Sequence, residues 1–104
     1  MTLRDIQAQM SEFVRERGWY AADSKKPQTA KNLAVSISIE SGELLECFQW
    51  ADRGEPRLVA GELADVLLYA AQLANVLGID LDAAVRAKLE LNRTRQWPDA
   101  AEPG

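Results

Sequence analysis

The chain has 104 residues, and its 12 Lys and Arg against 16 Asp and Glu give a net charge of −4. One cysteine and no histidine exclude a Ser-His-Asp triad, a Cys-His pair, a His-ligated metal site and an internal disulfide. Chemistry must then use carboxylates, Lys, Arg, hydroxyls or a hard metal ion. The acidic balance argues against nucleic-acid binding, and no apolar run approaches the ~18 residues of a membrane span. We expect a cytoplasmic protein.

Apolar residues recur at three- and four-residue spacing in four stretches bounded by Pro, Gly and N-cap residues. Thr2 followed by Asp5 resembles a capping box, and Gly18 and Gly78 are stop signals. The predicted helices span about 3–17, 31–50, 56–77 and 81–95. They predict an all-α fold, an antiparallel bundle of about four helices, with residues 1–98 as one domain and 99–104 as a flexible tail.

Two of these helices carry acids inside their apolar stripes. At about 100° per residue, Glu40 lies within about 60° of Leu33, Ile37 and Leu44. On the next helix Glu62 is equally central, and each acid is followed three residues later by another, Glu43 and Asp65. One explanation for acids inside an apolar stripe is structural, namely a salt bridge with Lys or Arg. If the two faces meet, carboxylates ~5 Å apart repel by roughly 3 kcal/mol at an effective dielectric of ~20, which favours a divalent cation.

Other side chains suit an anionic ligand with an aromatic part. Glu46 extends the acid series as a further ligand, an outer acid or a surface residue. Lys88, Asn92 and Arg95 share one stripe of the last helix. Either they approach an anion, or Lys88 and Arg95 reach water past the core edge. Trp19 and Trp50 lie beside loops and are candidate stacking surfaces. Acids, cations and rings together suit a nucleotide with its phosphates, because metal-assisted attack of water on phosphorus needs no histidine.

The chain resembles the MazG-like all-α nucleoside triphosphate pyrophosphohydrolases, nearest to the small dCTP pyrophosphatases among them. The resemblance is carried by I-E-S-G-E-L-L-E at 39–46, F-Q-W at 48–50, E-L-A-D-V-L-L-Y at 62–69 and K-L-E-L-N-R-T-R at 88–95, and K-N-L at 31–33 fits the same family. It covers nearly the whole chain. The segment before the second helix departs from the family, in which it is often shorter and often contains a histidine.

The resemblance implies magnesium-dependent hydrolysis of a nucleoside triphosphate to a monophosphate and pyrophosphate, on dCTP-like pyrimidine substrates, in a nucleotide-pool cleaning role. Mn²⁺ is a possible substitute for Mg²⁺, and homodimers or homotetramers are typical, with the pocket often completed by a neighbouring subunit. The implied metal ligands are Glu40, Glu43, Glu62 and Asp65, with Glu46 as a further catalytic acid. The implied substrate-binding residues are Trp19, Lys31, Asn32, Trp50, Tyr69, Lys88, Asn92 and Arg95.

Two other functions remain open on the sequence. A non-catalytic helical module would use the apolar stripes to bind a partner and would not respond to magnesium. A nucleotide sensor would bind the ligand without hydrolysing it, and only an activity assay separates it from an enzyme.

Overall fold

The computed structural model describes residues 1–95, and the predicted domain end at residue 98 and tail at 99–104 lie outside this range. Within it the only regular elements longer than a turn are four α-helices. They are α1 (Leu3–Glu16), α2 (Ala30–Glu46), α3 (Pro56–Leu77) and α4 (Leu81–Thr94). The predicted all-α class is therefore confirmed.

Local hydrogen bonds place the helix ends where the sequence signals indicated. Thr2 and Asp5 form a reciprocal capping box, with the Asp5 amide donating to Thr2 Oγ1 at 3.1 Å and the Thr2 amide to Asp5 Oδ2 at 2.8 Å. Asp80 Oδ1 accepts from the Ala83 amide at 3.1 Å at the start of α4. Gly78, with φ of 69°, ends α3 in the left-handed conformation that glycine adopts without steric cost.

The prediction that the second helix continues to Trp50 is wrong, because α2 ends at Glu46. Beyond it the amides of Cys47, Phe48 and Gln49 donate to carbonyls three residues earlier, at 3.0–3.1 Å, which tightens the chain into turns. The next loop then packs closely on these turns at Gly54. A Cβ at Gly54 would lie 2.6 Å from Val59 Cγ2 and 3.2 Å from the Cys47 carbonyl oxygen.

Helix packing brings α2 and α3 into the most extensive contact, and α1 covers α3 beside them. The small core includes Val14 from α1, Leu33 from α2 and Ala71 from α3, which are at most 2% exposed. After Gly78 the chain bends by 106° between α3 and α4, and α4 packs on α1 rather than along α2. Within residues 1–95 no single helix is long and apolar enough to cross a membrane, and only the bent pair α3–α4 meets that requirement, by length and composition alone.

Candidate functional site: an acid cluster beside an aromatic groove

Three carboxylates from two helices converge where α2 packs on α3. Glu40 on α2 and Glu62 and Asp65 on α3 each offer an oxygen, and these oxygens lie within 4.8 Å of one another. The cause is the packing of the two apolar stripes, because each stripe carries its acid at the centre and burial of the stripes forces the acids to face each other. The proposed meeting of the two acidic faces is thus present in the fold.

Loss of solvation and neighbouring negative charges together raise the pKa of two acids in this cluster. Loss of solvation, followed by the hydrogen bond and charge of Glu43, raises the pKa of Glu40 to about 7. Loss of solvation is also the main cause that raises the pKa of Glu62, and the negative charge of Glu43 adds to it. Glu43 is therefore an electrostatic neighbour of both acids, although it is exposed and its oxygens lie outside the group of three.

Two oxygens in the cluster are buried without a partner. Glu40 Oε2 and Glu62 Oε2 have almost no accessible surface, and no hydrogen-bond donor among residues 1–95 contacts them. A buried polar atom without a partner costs free energy, and a divalent cation relieves this cost because Mg²⁺ and Mn²⁺ prefer carboxylate oxygen ligands. The donor set therefore fits a hard metal ion. Glu46, the last residue of α2, is exposed and lies outside the group.

A groove runs from the acid cluster toward α1. One part, about 440 Å³, is lined by Asp65, Tyr69 and Trp19 together with residues of α1. A second part, about 330 Å³, shares Trp19 and Tyr69 with the first and continues toward the start of α2. The pKa of Tyr69 is raised by loss of solvation and by the charges of Glu40, Asp65 and Glu43, in that order, so its hydroxyl stays protonated near the acids.

The far wall of the groove comes from the segment joining α1 to α2, residues 17–29. Lys25, Lys26 and Gln28 line it, and Asn32 continues it on α2. The Lys26 ammonium lies 4.8 Å from the centroid of the Trp19 ring, a cation–π contact on one ring face. Sequence reasoning did not select Lys25, Lys26 or Gln28, because a loop without periodicity gives no signal for the direction of its side chains.

Of the predicted substrate-binding residues, Trp19, Asn32 and Tyr69 line the groove. The others do not. Trp50 is 90% exposed in the turn after α2, and Lys31 is exposed on the first turn of α2. The remaining three, Lys88, Asn92 and Arg95, belong to α4 and its C-terminal cap, and α4 bends away from α3. Their roles stay predictions.

Comparison with known proteins agrees with this architecture. The model of the MazG-like family matches residues 35–102. Human dCTP pyrophosphatase 1 is 36% identical over 90% of this chain, and the chain spans 58% of that protein's length. The dATP/dGTP diphosphohydrolase of Cyanophage S-2L is 46% identical, over 95% of this chain and 81% of its own. The crystal structure of a pyrophosphatase from Archaeoglobus fulgidus superposes with a TM-score of 0.70 at 40% identity, covering 92% of both chains. The chain belongs to the MazG-like family.

Proposed function

We propose that this protein hydrolyses deoxynucleoside triphosphates to monophosphates and pyrophosphate in a magnesium-dependent reaction. The observation that carries the proposal is the convergence of Glu40, Glu62 and Asp65 within 4.8 Å beside a groove lined by aromatic rings. Two of the matched proteins are named for action on dCTP or on dATP and dGTP, and a third is named a pyrophosphatase. Removal of unwanted nucleotides from the pool, in the cytoplasm, is the role that we assign to this activity.

The acids hold the metal in this proposal. Glu40, Glu62 and Asp65 ligate Mg²⁺, with Mn²⁺ as a substitute, and Glu43 joins them from the next turn of α2. The bound ion neutralises phosphate charge and lowers the pKa of water. A carboxylate not engaged by metal orients the attacking water and accepts its proton, and Glu46 is the additional acid that we assign to the edge of the site.

The groove holds the nucleoside. Trp19 and Tyr69 offer ring faces for the base, and the Asn32 amide and the Lys26 ammonium offer polar contacts along the same wall. The resemblance favours a dCTP-like pyrimidine, whereas the phage relative of higher identity is named for purine substrates. A panel that includes both classes decides between them.

A second copy of the chain completes the site in this proposal. Large apolar side chains lie open on the single chain, among them Leu45 at 73%, Leu58 at 62% and Leu63 at 53% exposure. Such a surface is typical of subunit interfaces. We therefore propose a homodimer or homotetramer, in which α4 brings Lys88, Asn92 and Arg95 toward a neighbouring site and Trp50 borders the nucleoside. Light scattering during gel filtration tests this, and a monomer at working concentration contradicts it.

The deciding experiment is a substrate panel of dCTP, dTTP, dUTP, dATP and dGTP, with Mg²⁺, with Mn²⁺ and with a chelator. We expect equal amounts of monophosphate and pyrophosphate, no turnover with chelator, and loss of turnover in Glu62→Gln. The matched control is Glu16→Gln, which removes the same charge from the end of α1, outside the acid cluster. Release of orthophosphate instead of pyrophosphate would refute the proposed reaction. If no nucleotide is turned over, the remaining candidate functions are a nucleotide sensor and a helical interaction module.

A further inference from the structure

A buried amide links the interior of α3 to the wall of the groove. The Gln72 side chain is 0% exposed. Its Nε2 donates to Tyr20 Oη at 3.0 Å and to Gln28 Oε1 at 3.1 Å, and its Oε1 accepts from Asn75 Nδ2 at 3.0 Å. A side-chain amide has two N–H donors, so both are used, and both reach the same segment of chain.

That segment is the connection over residues 17–29, and Gln72 holds it near both ends. Tyr20 lies near its start, and its hydroxyl also bonds Ser11 Oγ at 2.8 Å. Gln28 lies near its end, and its Nε2 donates to the Lys26 carbonyl at 2.9 Å. A continuous series of hydrogen bonds therefore runs from the buried face of α3 to Lys26 and Gln28 on the groove wall.

An apolar residue would fill the Gln72 position without the cost of burying an amide. Ordering of a loop, in contrast, costs backbone conformational entropy, and most residues of this segment are exposed. The buried amide supplies directed hydrogen bonds to two residues of this segment, Tyr20 and Gln28. The effect of these bonds is to fix the position of the wall rather than to build the core.

We infer that Gln72 is a positioning residue for the nucleotide, acting through Tyr20 and Gln28 on the groove wall formed by Trp19, Lys26 and Gln28. This inference rests on the proposed function, because the ligand of the groove is taken to be the nucleoside triphosphate. The acids stand on α2 and α3 and are not part of the segment. Loss of the network should therefore weaken nucleotide binding and leave both the chemical step and metal binding intact.

The test is Gln72→Met, an unbranched side chain of similar volume without hydrogen-bond donors. We expect KM for dCTP and for dATP to rise about tenfold, the change that corresponds to ~1.4 kcal/mol. The kcat and the Mg²⁺ concentration for half-maximal activity should stay within about twofold of the wild type, since an effect on binding alone changes KM.

The matched control is Gln7→Met, the same substitution at a glutamine that contacts Asn75 but makes no bond to the segment. Gln7 bonds Asn75 Oδ1 at 3.1 Å, the Ile79 carbonyl at 2.9 Å and the Leu81 amide at 2.9 Å, none of which lies in the segment. We expect a lower Tm with KM unchanged. An equal rise of KM in both variants, or an unchanged KM in Gln72→Met, would show that Gln72 has a structural role only and would overturn the inference.

Two further measurements keep the test decisive. Gln28→Met should reproduce the rise in KM. The double variant Gln72→Met with Gln28→Met should raise KM no further, because the effects of coupled residues are not additive. An unchanged KM in Gln28→Met would overturn the inference even if Gln72→Met does not fold. Amide hydrogen exchange over residues 19–28 should be faster in Gln72→Met than in Gln7→Met. If the wild type releases no pyrophosphate, the proposed function fails, while equal exchange in the two variants would overturn the inference by itself.

Discussion

Neutralising Glu40 should stabilise the metal-free protein and remove its response to magnesium. Glu40 and Asp65 offer oxygens no more than 4.8 Å apart. Above about pH 7, where Glu40 is ionised, two unit charges at that distance interact by about 3 kcal/mol at an effective dielectric of ~20 and by about 1 kcal/mol in bulk water. Because Asp65 is exposed and Glu40 is half-buried, screening places the relief in Glu40→Gln near the lower figure. For a domain of this size about 1 kcal/mol corresponds to a rise in Tm of about 4–8 °C.

The same variant should not gain stability from magnesium. A ligand present at about 100 times its dissociation constant stabilises the native state by ~2.7 kcal/mol, so the wild-type Tm should rise by about 10 °C or more. Calorimetry of the wild type, Glu40→Gln and the control Glu16→Gln, with and without Mg²⁺, measures both effects. The assignment of the cluster as a metal site would be refuted if the wild-type Tm did not change with Mg²⁺, or if Glu40→Gln kept the full rise in Tm.

Three further predictions follow from the structure. Because the pKa of Glu40 is raised from 4.5 to about 7, the folded metal-free chain binds more protons than the unfolded chain in this range. Its free energy of unfolding should therefore fall as pH rises from about 4.5 to about 7, and the fall should be shallower in Glu40→Gln. Denaturant titrations at several pH values measure this, and a free energy of unfolding that rises over this range would contradict it. Gly78→Ala should lower the free energy of unfolding by about 1 kcal/mol, because the φ angle at Gly78 is 69°. Gly61→Ala, at an open position on α3, should raise it by about 0.5–1 kcal/mol. Equal effects of the two substitutions in thermal unfolding would contradict this prediction. Trp19→Ala should raise KM for the nucleotide about tenfold, since stacking is worth ~1–3 kcal/mol per base, and the Mg²⁺ dependence should not move; an unchanged KM would exclude Trp19 from the base site.

Local patterns were enough to predict the helices and the position of the acids on them. The Thr2–Asp5 capping box, the Asp80 cap and the Gly78 stop all depend on residues within a few positions of each other. A short sequence pattern is therefore enough to mark each of them. The central placement of Glu40 and Glu62 in apolar stripes follows from helical periodicity alone. For this reason the sequence already predicted a metal-binding pair of helix faces.

The end of α2 and the groove wall could not be predicted from local sequence patterns. The sequence predicted that α2 continues to Trp50, because Cys47 continues the apolar spacing. In the structure the chain instead forms tighter turns after Glu46, and the loop at Gly54 packs against them. Gln72 bonds Gln28 across 44 positions of sequence, and no local pattern marks either partner. Such contacts depend on the path of a loop, which is set by long-range packing and buried hydrogen bonds.

The sequence by itself determined the four helices, the absence of histidine chemistry and the presence of acids in two apolar stripes. Only the tertiary structure decided that three of these carboxylates lie within 4.8 Å of one another and that two of their oxygens are buried without a donor. It also decided that Trp19, Lys26 and Gln28 form one wall of the groove. The physical reason is the range of the interactions. Helix formation and capping are local, whereas the site depends on which faces pack together and on where a thirteen-residue connection over 17–29 is held.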